Sequence, residues 1–229
     1  MQSQRNLDLV CFYADLGNPY LPLIERMCAS ALDVMPYARR VLLTPTPSHE
    51  LSKHFDKTVD LSGHMTTTRS TLCYDRARAT VSWQAMTGND TIYTDPDIEF
   101  KRPIPMDTSE WDVGLLWRKR KPDQPINTGL VLAHPGSTEF WIRYGAIVAN
   151  LPLSLRSWWC DQLAYTVLLG TDHNAGDVVS AYDARVKLFD WLDMCAPPEK
   201  ANPNPYSLHQ KGHRKWQEMG IENIVEIAA

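Results

Sequence analysis

Short apolar runs alternate with helix-periodic stretches over the first hundred residues. Residues 7–13 (LDLVCFY) are β-rich and largely apolar and predict a first buried strand. Turn-forming residues Ala14-Asp15-Leu16-Gly17-Asn18-Pro19 follow. Leu23, Ile24, Met27, Ala31, Leu32 and Met35 recur at helical spacing, so a helix is expected over 20–35, stopped by Pro36. Val41-Leu42-Leu43 predicts a second strand and Val59-Asp60-Leu61 a third. A helix is expected over 67–86, with Leu72, Cys73, Ala79, Val81 and Trp83 turned inward. It delivers the chain to Thr91-Ile92-Tyr93-Thr94, another buried strand. This alternation predicts an α/β domain with a mainly parallel, Rossmann-like central sheet flanked by helices.

The second half is less regular. Residues 111–117 (WDVGLLW) predict a strand, followed at once by the basic run Arg118-Lys119-Arg120-Lys121. Asn127-Thr128-Gly129 reads as a turn entering a strand that ends at Leu132. Helices are expected over 138–151 and, capped by Ser157, through Asp161-Gln162 to Leu169. Residues 186–189 give a last strand and 197–205 (PPEKANPNP) a loop. Too few residues follow that loop to fold alone, so the expectation is one domain over 1–229. Residues 1–100 form its first half, closing just past the strand at 91–94, and 101–229 its second.

Composition narrows the function class. A net charge of −4 gives no global basic footprint, which argues against strong non-specific nucleic-acid binding. Five widely spaced cysteines without a CxxC fit a reducing compartment rather than a disulfide or zinc framework. The first residues lack a signal-type apolar core, and no apolar run approaches a membrane span. The expectation is a soluble, cytoplasmic protein.

The candidate chemistry centres on Asp95-Pro96-Asp97, at the end of the strand 91–94. Side chains at i and i+2 of an extended segment project to one side, so two hard carboxylates would suit Mn²⁺ or Mg²⁺ and, through it, a diphosphate. The plainer reading is a solvated strand-end turn. In mainly parallel sheets ligands bind beyond the carboxyl ends of the strands. That rule sets Tyr13 and Asp15, after the first strand, on the same rim as the acids.

A strand leading to Asp95-Pro96-Asp97, Asn127-Thr128-Gly129, Asp161-Gln162, and a closing His209-x-x-Gly212-x-x-Lys215 occur in one order. Together they resemble nucleotide-sugar glycosyltransferases of the GT-A fold, such as glycogenin and the bacterial galactosyltransferases. The resemblance implies that Asp95, Asp97 and His209 bind the metal and that Lys215 contacts the donor diphosphate. It implies that Asn127 and Gly129 line the donor sugar, and that Tyr13 and Asp15 hold base and ribose. Asp161, with Gln162, would lie at the reacting centre. A basic residue on the helix before the acids, Arg69 or Arg76, would approach the donor. A UDP-sugar is the first expectation for the donor, with a hydroxyl acceptor. His209 and His213 are four apart, as a helical zinc pair would be, but Gly212 between them disfavours a helix and leaves His209 as the ligand.

The basic run at 118–121, with Trp117, Trp158 and Trp159, suggests a surface for a glycan, a phosphorylated acceptor or a nucleic acid, as in a phage-type DNA-modifying sugar transferase. Other classes fit less well. A nucleotidyltransferase would carry a glycine-rich loop where residues 14–18 hold one glycine. A dehalogenase-type phosphatase would carry its DxD near the N-terminus, with Thr or Val where Glu99 stands. A non-catalytic nucleotide- or sugar-binding module of the same fold is the remaining alternative.

Overall fold

The computed structural model of the chain describes residues 6–17, 20–106, 110–156 and 159–210. Gly212, His213 and Lys215, and with them Ser157 and Trp158, lie outside the described residues. β1 (Leu7–Phe12) leads to α1 (Leu21–Val34). β2 (Arg39–Thr44), the one-turn α2 (His49–Ser52) and β3 (Lys57–Asp60) follow, then α3 (Leu72–Met86) and β4 (Asp90–Thr94). β5 (Ile98–Phe100), β6 (Val113–Trp117) and β7 (Ile126–Ala133) precede α4 (Thr138–Asn150) and α5 (Cys160–Leu169). β8 (Val178–Ala181), β9 (Ala184–Asp190), α6 (Trp191–Met194) and β10 (Ser207–His209) complete the described order.

Eight strands form one sheet in the order β3-β2-β1-β4-β7-β6-β9-β8. The first four run parallel, as does β6 with β9, while β7 is antiparallel to both its neighbours and β8 to β9. The sheet is therefore mostly parallel, as the strand–helix alternation implies. Alternation along β1 shows how both faces are filled. Leu7, Leu9 and Cys11 enter the layer that holds Ile24 and Met27 of α1. Val10 and Phe12 enter the other layer, with Ala77 of α3, Tyr144 of α4 and Tyr165 of α5. α3, α4 and α5 pack against one another there. Among the described residues no helix is long and apolar enough to cross a membrane.

At the amino ends of the central strands, the buried Asp8 carboxylate is closed by Arg39. Nε and Nη2 each donate at 2.9 Å, and Asn89 Nδ2 adds a third bond at 3.2 Å. A buried carboxylate needs such partners.

The structure adds β8, which the pattern does not predict, and departs from expectation in further places. α3 starts at Leu72 because the hydroxyls of the preceding turn compete with helix. Thr68 N donates to Thr71 Oγ1 at 2.9 Å, and Thr71 Oγ1 donates to Asp75 at 2.9 Å. Asn127, Thr128 and Gly129 lie within β7 rather than in a turn. Their backbone is irregular all the same, because the β6–β7 register jumps between Leu115, opposite Val131, and Leu116, opposite Asn127. Finally, β5 and β10 form a separate two-stranded antiparallel sheet that the pattern does not announce.

At the crossing of β6, β7 and β9 a Cβ on Gly114 would stand 2.7 Å from Phe189 Cε2 and 3.1 Å from Leu132 Cβ. Gly114→Ala should destabilise by about 1–3 kcal/mol, as other overpacked cores do. The urea midpoint should fall with an unchanged slope; an unchanged midpoint would show that the sheet has room to yield.

Candidate active site

The carboxyl end of β4 stops at Asp95, whose N–H donates to Gly129 O at 3.0 Å and so extends the β4–β7 pairing by one residue. The chain then turns through Pro96 and Asp97 into β5. The two acids are therefore brought together by a turn, not by strand alternation. β5 fixes what stands opposite them. It pairs with β10 so that Ile98 lies opposite His209, and Gln210 N donates to Asp97 O at 2.9 Å. On the other side of β10, His209 N donates to Ala196 O at 3.1 Å. This small sheet holds the His209 imidazole against the acids. Nε2 lies 3.0 Å from Asp97 Oδ1 and 3.6 Å from Asp95 Oδ2.

One ligand atom from each of Asp95, Asp97 and His209 lies within 4.8 Å of the other two. Two carboxylates and an imidazole suit Mn²⁺ or Mg²⁺ better than a soft thiolate set would. The imidazole is turned by its surroundings. Its Nδ1 faces Cys195 Sγ at 3.7 Å, leaving Nε2 for the acids. A Cβ on Gly129 would meet Nδ1 at 2.9 Å and Asn127 Oδ1, which accepts the Gly129 N–H, also at 2.9 Å. Gly129 is thus required by the close approach of His209, and Asn127 secures the backbone that permits it.

Arg76, on α3, crosses the site. Its guanidinium pairs with both Asp95 and Asp161 and donates to Thr128 Oγ1 at 2.9 Å. Thr128 Oγ1 in turn donates to Asp161 Oδ2 at 2.9 Å. Burial alone would lower the Arg76 pKa, but the carboxylates of Asp161 and Asp95 outweigh it and hold it well above its ordinary value. Asp161 sits in the first turn of α5, almost fully buried. Of the two basic candidates, Arg76 is the one beside the acids, while Arg69 stands exposed in the turn before α3. Thr128 was not legible as a site residue, although it lies between the two that were.

Tyr13 and Asp15 follow β1, which runs parallel to β4, so they share the rim with Asp95. Tyr13 is buried against Tyr20, with ring centroids 6.0 Å apart, and burial, then Asp15 and Tyr20, pushes its hydroxyl pKa up. The exposed Asp15 carboxylate accepts Gly17 N at 3.0 Å. Lys215 falls outside the described residues.

The basic and aromatic surface changes character. Arg118 is buried, with its pKa lowered by burial. It donates to Gln124 O at 2.6 and 3.0 Å, to Ile126 O at 2.8 Å and to Gln162 Oε1 at 2.7 Å. Trp117 is also buried, whereas Lys119, Arg120, Lys121 and Trp159 are exposed. Arg118 and Trp117 are thus structural. A charge run in sequence does not reveal that one of its members satisfies carbonyls of its own loop.

No protein-family model and no curated protein sequence matches the chain. Solved structures do. The chain is similar to a glycosyltransferase involved in the glycosylation of the major capsid of PBCV-1, at 12% identity and TM-score 0.60, covering 95% of this chain and 100% of that one. It is similar to the glycosyltransferase GlyE of Streptococcus pneumoniae TIGR4, at 13% identity and TM-score 0.62, covering 98% of this chain and 62% of that one. It is also similar to the galactosyltransferase LgtC in complex with donor and acceptor sugar analogues, at 14% identity and TM-score 0.54, covering 96% and 95%. The fold is that of the GT-A glycosyltransferases.

Gly129→Ala should push the His209 ring away from Asp97; if Asp95, Asp97 and His209 hold Mn²⁺, its affinity should fall about 10–100-fold, the usual effect of disturbing a ligand's support. Calorimetric titration with Mn²⁺ measures this. An unchanged affinity would mean that the imidazole is not a ligand.

Proposed function

We propose that the protein is a metal-dependent glycosyltransferase that moves a sugar from a nucleoside diphosphate sugar, with UDP-sugar the first choice, to a hydroxyl acceptor. The observation that carries this reading is the convergence of Asp95, Asp97 and His209 at the carboxyl end of β4 in a GT-A fold. These three residues would hold Mn²⁺ or Mg²⁺. Such an ion, when bound, supplies Lewis-acid stabilisation of the diphosphate leaving group.

The chain's own residues account for the rest. Tyr13 and Asp15 take the base and ribose on the rim, and the Asn127–Gly129 segment lines the donor sugar. Arg76 presents a permanently protonated guanidinium beside the acids, where negative charge gathers as the bond from the anomeric carbon to the diphosphate oxygen breaks. Lys215 joins it on the diphosphate, as the resemblance of its motif implies. The acceptor oxygen forms the new bond to the anomeric carbon and loses its proton. In an inverting reaction Asp161 takes that proton; in a retaining one Asp161 and Gln162 support the oxocarbenium-like state. Arg76 and Thr128 hold the Asp161 carboxylate in place for either role. Among acceptors a glycan is favoured over a polyanion, because Arg118 and Trp117 are withdrawn from the basic and aromatic surface.

Incubation with UDP-sugars and Mn²⁺ should release UDP, and Asp97→Asn should slow release by about 10³-fold, the several kcal/mol that a Lewis acid contributes. EDTA should do the same to the unmodified protein. Full turnover in Asp97→Asn, or turnover indifferent to EDTA, would contradict the metal assignment.

A further inference from the structure

Four of the ten large apolar side chains that stand exposed among the described residues fall within 153–167: Leu153, Leu155, Trp159 and Val167. Scattered exposed apolar residues are ordinary, but a cluster marks an interaction surface. Leu153 is 83% exposed, and no residue of its 3₁₀ turn (Leu153–Leu155) is buried. Core packing therefore does not hold this turn. Arg156 holds it from behind: Nε donates to Leu151 O at 2.8 Å and Nη2 to Ala149 O at 2.9 Å, with the guanidinium 4.8 Å from the centre of the Tyr74 ring.

Trp159 is displayed in a similar way. Its backbone is left-handed, at φ 74° and ψ 10°. Bulky residues rarely adopt this region, and the surroundings must enforce it. The indole is nevertheless 44% exposed. Leu163, half-buried, and Val167, exposed, continue the apolar line four residues apart along α5.

The basic loop lies beside this surface. Asp123 and Gln124 line one cleft with Leu155 and Trp159, and Arg118 Nη2 donates to Gln162 Oε1 at 2.7 Å. The loop is closed by Lys121 N donating to Arg118 O and Gln124 N to Lys121 O, both at 3.0 Å. With Arg118 turned inward, Lys119, Arg120 and Lys121 are its exposed cations. The chain as a whole carries −4, yet Asp123 is the one exposed acid among the described residues of these two segments.

The combination selects a partner. A nucleic acid would engage the cations but has no use for exposed leucines. A phospholipid surface engages every part: acyl chains take the leucines, the indole sits at headgroup level and the cations meet anionic headgroups. We propose that Leu153, Leu155 and Trp159, with Lys119, Arg120 and Lys121, dock the protein on an anionic phospholipid bilayer. The contact is peripheral, and it does not rest on the transferase reading.

Sedimentation of the full chain with vesicles tests this, using phosphatidylcholine alone and phosphatidylcholine mixed with phosphatidylglycerol. The expected result is binding to the mixed vesicles that weakens as salt rises, with far less binding to phosphatidylcholine alone. Lys119→Gln, Arg120→Gln and Lys121→Gln together should weaken it on the order of 100-fold, about fivefold for each cation. Leu153→Asp should weaken it about tenfold or more, with a melting temperature equal to wild type because the side chain is exposed. Brominated lipid in the mixed vesicles should quench tryptophan emission, and less so in Trp159→Phe. Absence of binding to the mixed vesicles overturns the proposal, as does binding undiminished in Leu153→Asp or in the triple variant. A dimer in sedimentation velocity that Leu153→Asp dissolves overturns it by making the face a protein interface. Retention on duplex DNA without vesicle binding overturns it in favour of a nucleic acid.

Discussion

Two carboxylates, Asp95 and Asp161, converge on one guanidinium, and a third, Asp97, stands beside Asp95. By formal charge Asp95, Asp97 and Asp161 contribute −3 and Arg76 +1, an excess of two negative charges before His209 is counted. Like charges this close repel strongly in a partly buried setting. Arg76 relieves the repulsion on the side of Asp95 and Asp161, where Thr128 completes the network. The side of Asp95 and Asp97 retains the excess, and there His209 presents Nε2. One divalent cation would balance the cluster. The field reaches further: burial, then Cys28, Asp95 and Asp97, raises the Cys11 thiol pKa well above its ordinary value, so Cys11 stays protonated and is no competing ligand.

The architecture follows from this requirement. The parallel strands β1 and β4 bring Tyr13 and Asp95 to one rim. The register jump of β7 against β6 lets Thr128 reach Arg76 and Asp161 while Gly129 makes room for His209. Bulged segments beside active sites commonly re-aim side chains in this way. The pairing of β5 with β10 carries His209 across more than a hundred residues of chain to Asp97.

The strand ending at Asp95 and the alternation behind it were legible because a buried parallel strand must be apolar along its length. The helix over residues 21–34 was legible by its period and by Pro36 after it. What escaped the pattern has physical reasons. β5 and β10 have three residues each, too short for any period to register, and they exist through pairing with one another. Thr128 belongs to the site through a register shift, which only the partner strand reveals. Arg118 read as part of a basic surface because its acceptors, the Gln124 and Ile126 carbonyls and a side chain on α5, leave no mark on the charge run. The Trp159 backbone has no signal in the sequence, since its residue type argues against the conformation it adopts.

The most direct test is the electron spin echo modulation of Mn²⁺ bound to the protein with UDP. The account predicts coupling to one imidazole nitrogen, lost in His209→Gln while the ion remains at reduced affinity. Bound Mn²⁺ without nitrogen coupling, or coupling that survives in His209→Gln, would show that Asp95, Asp97 and His209 are not the metal site.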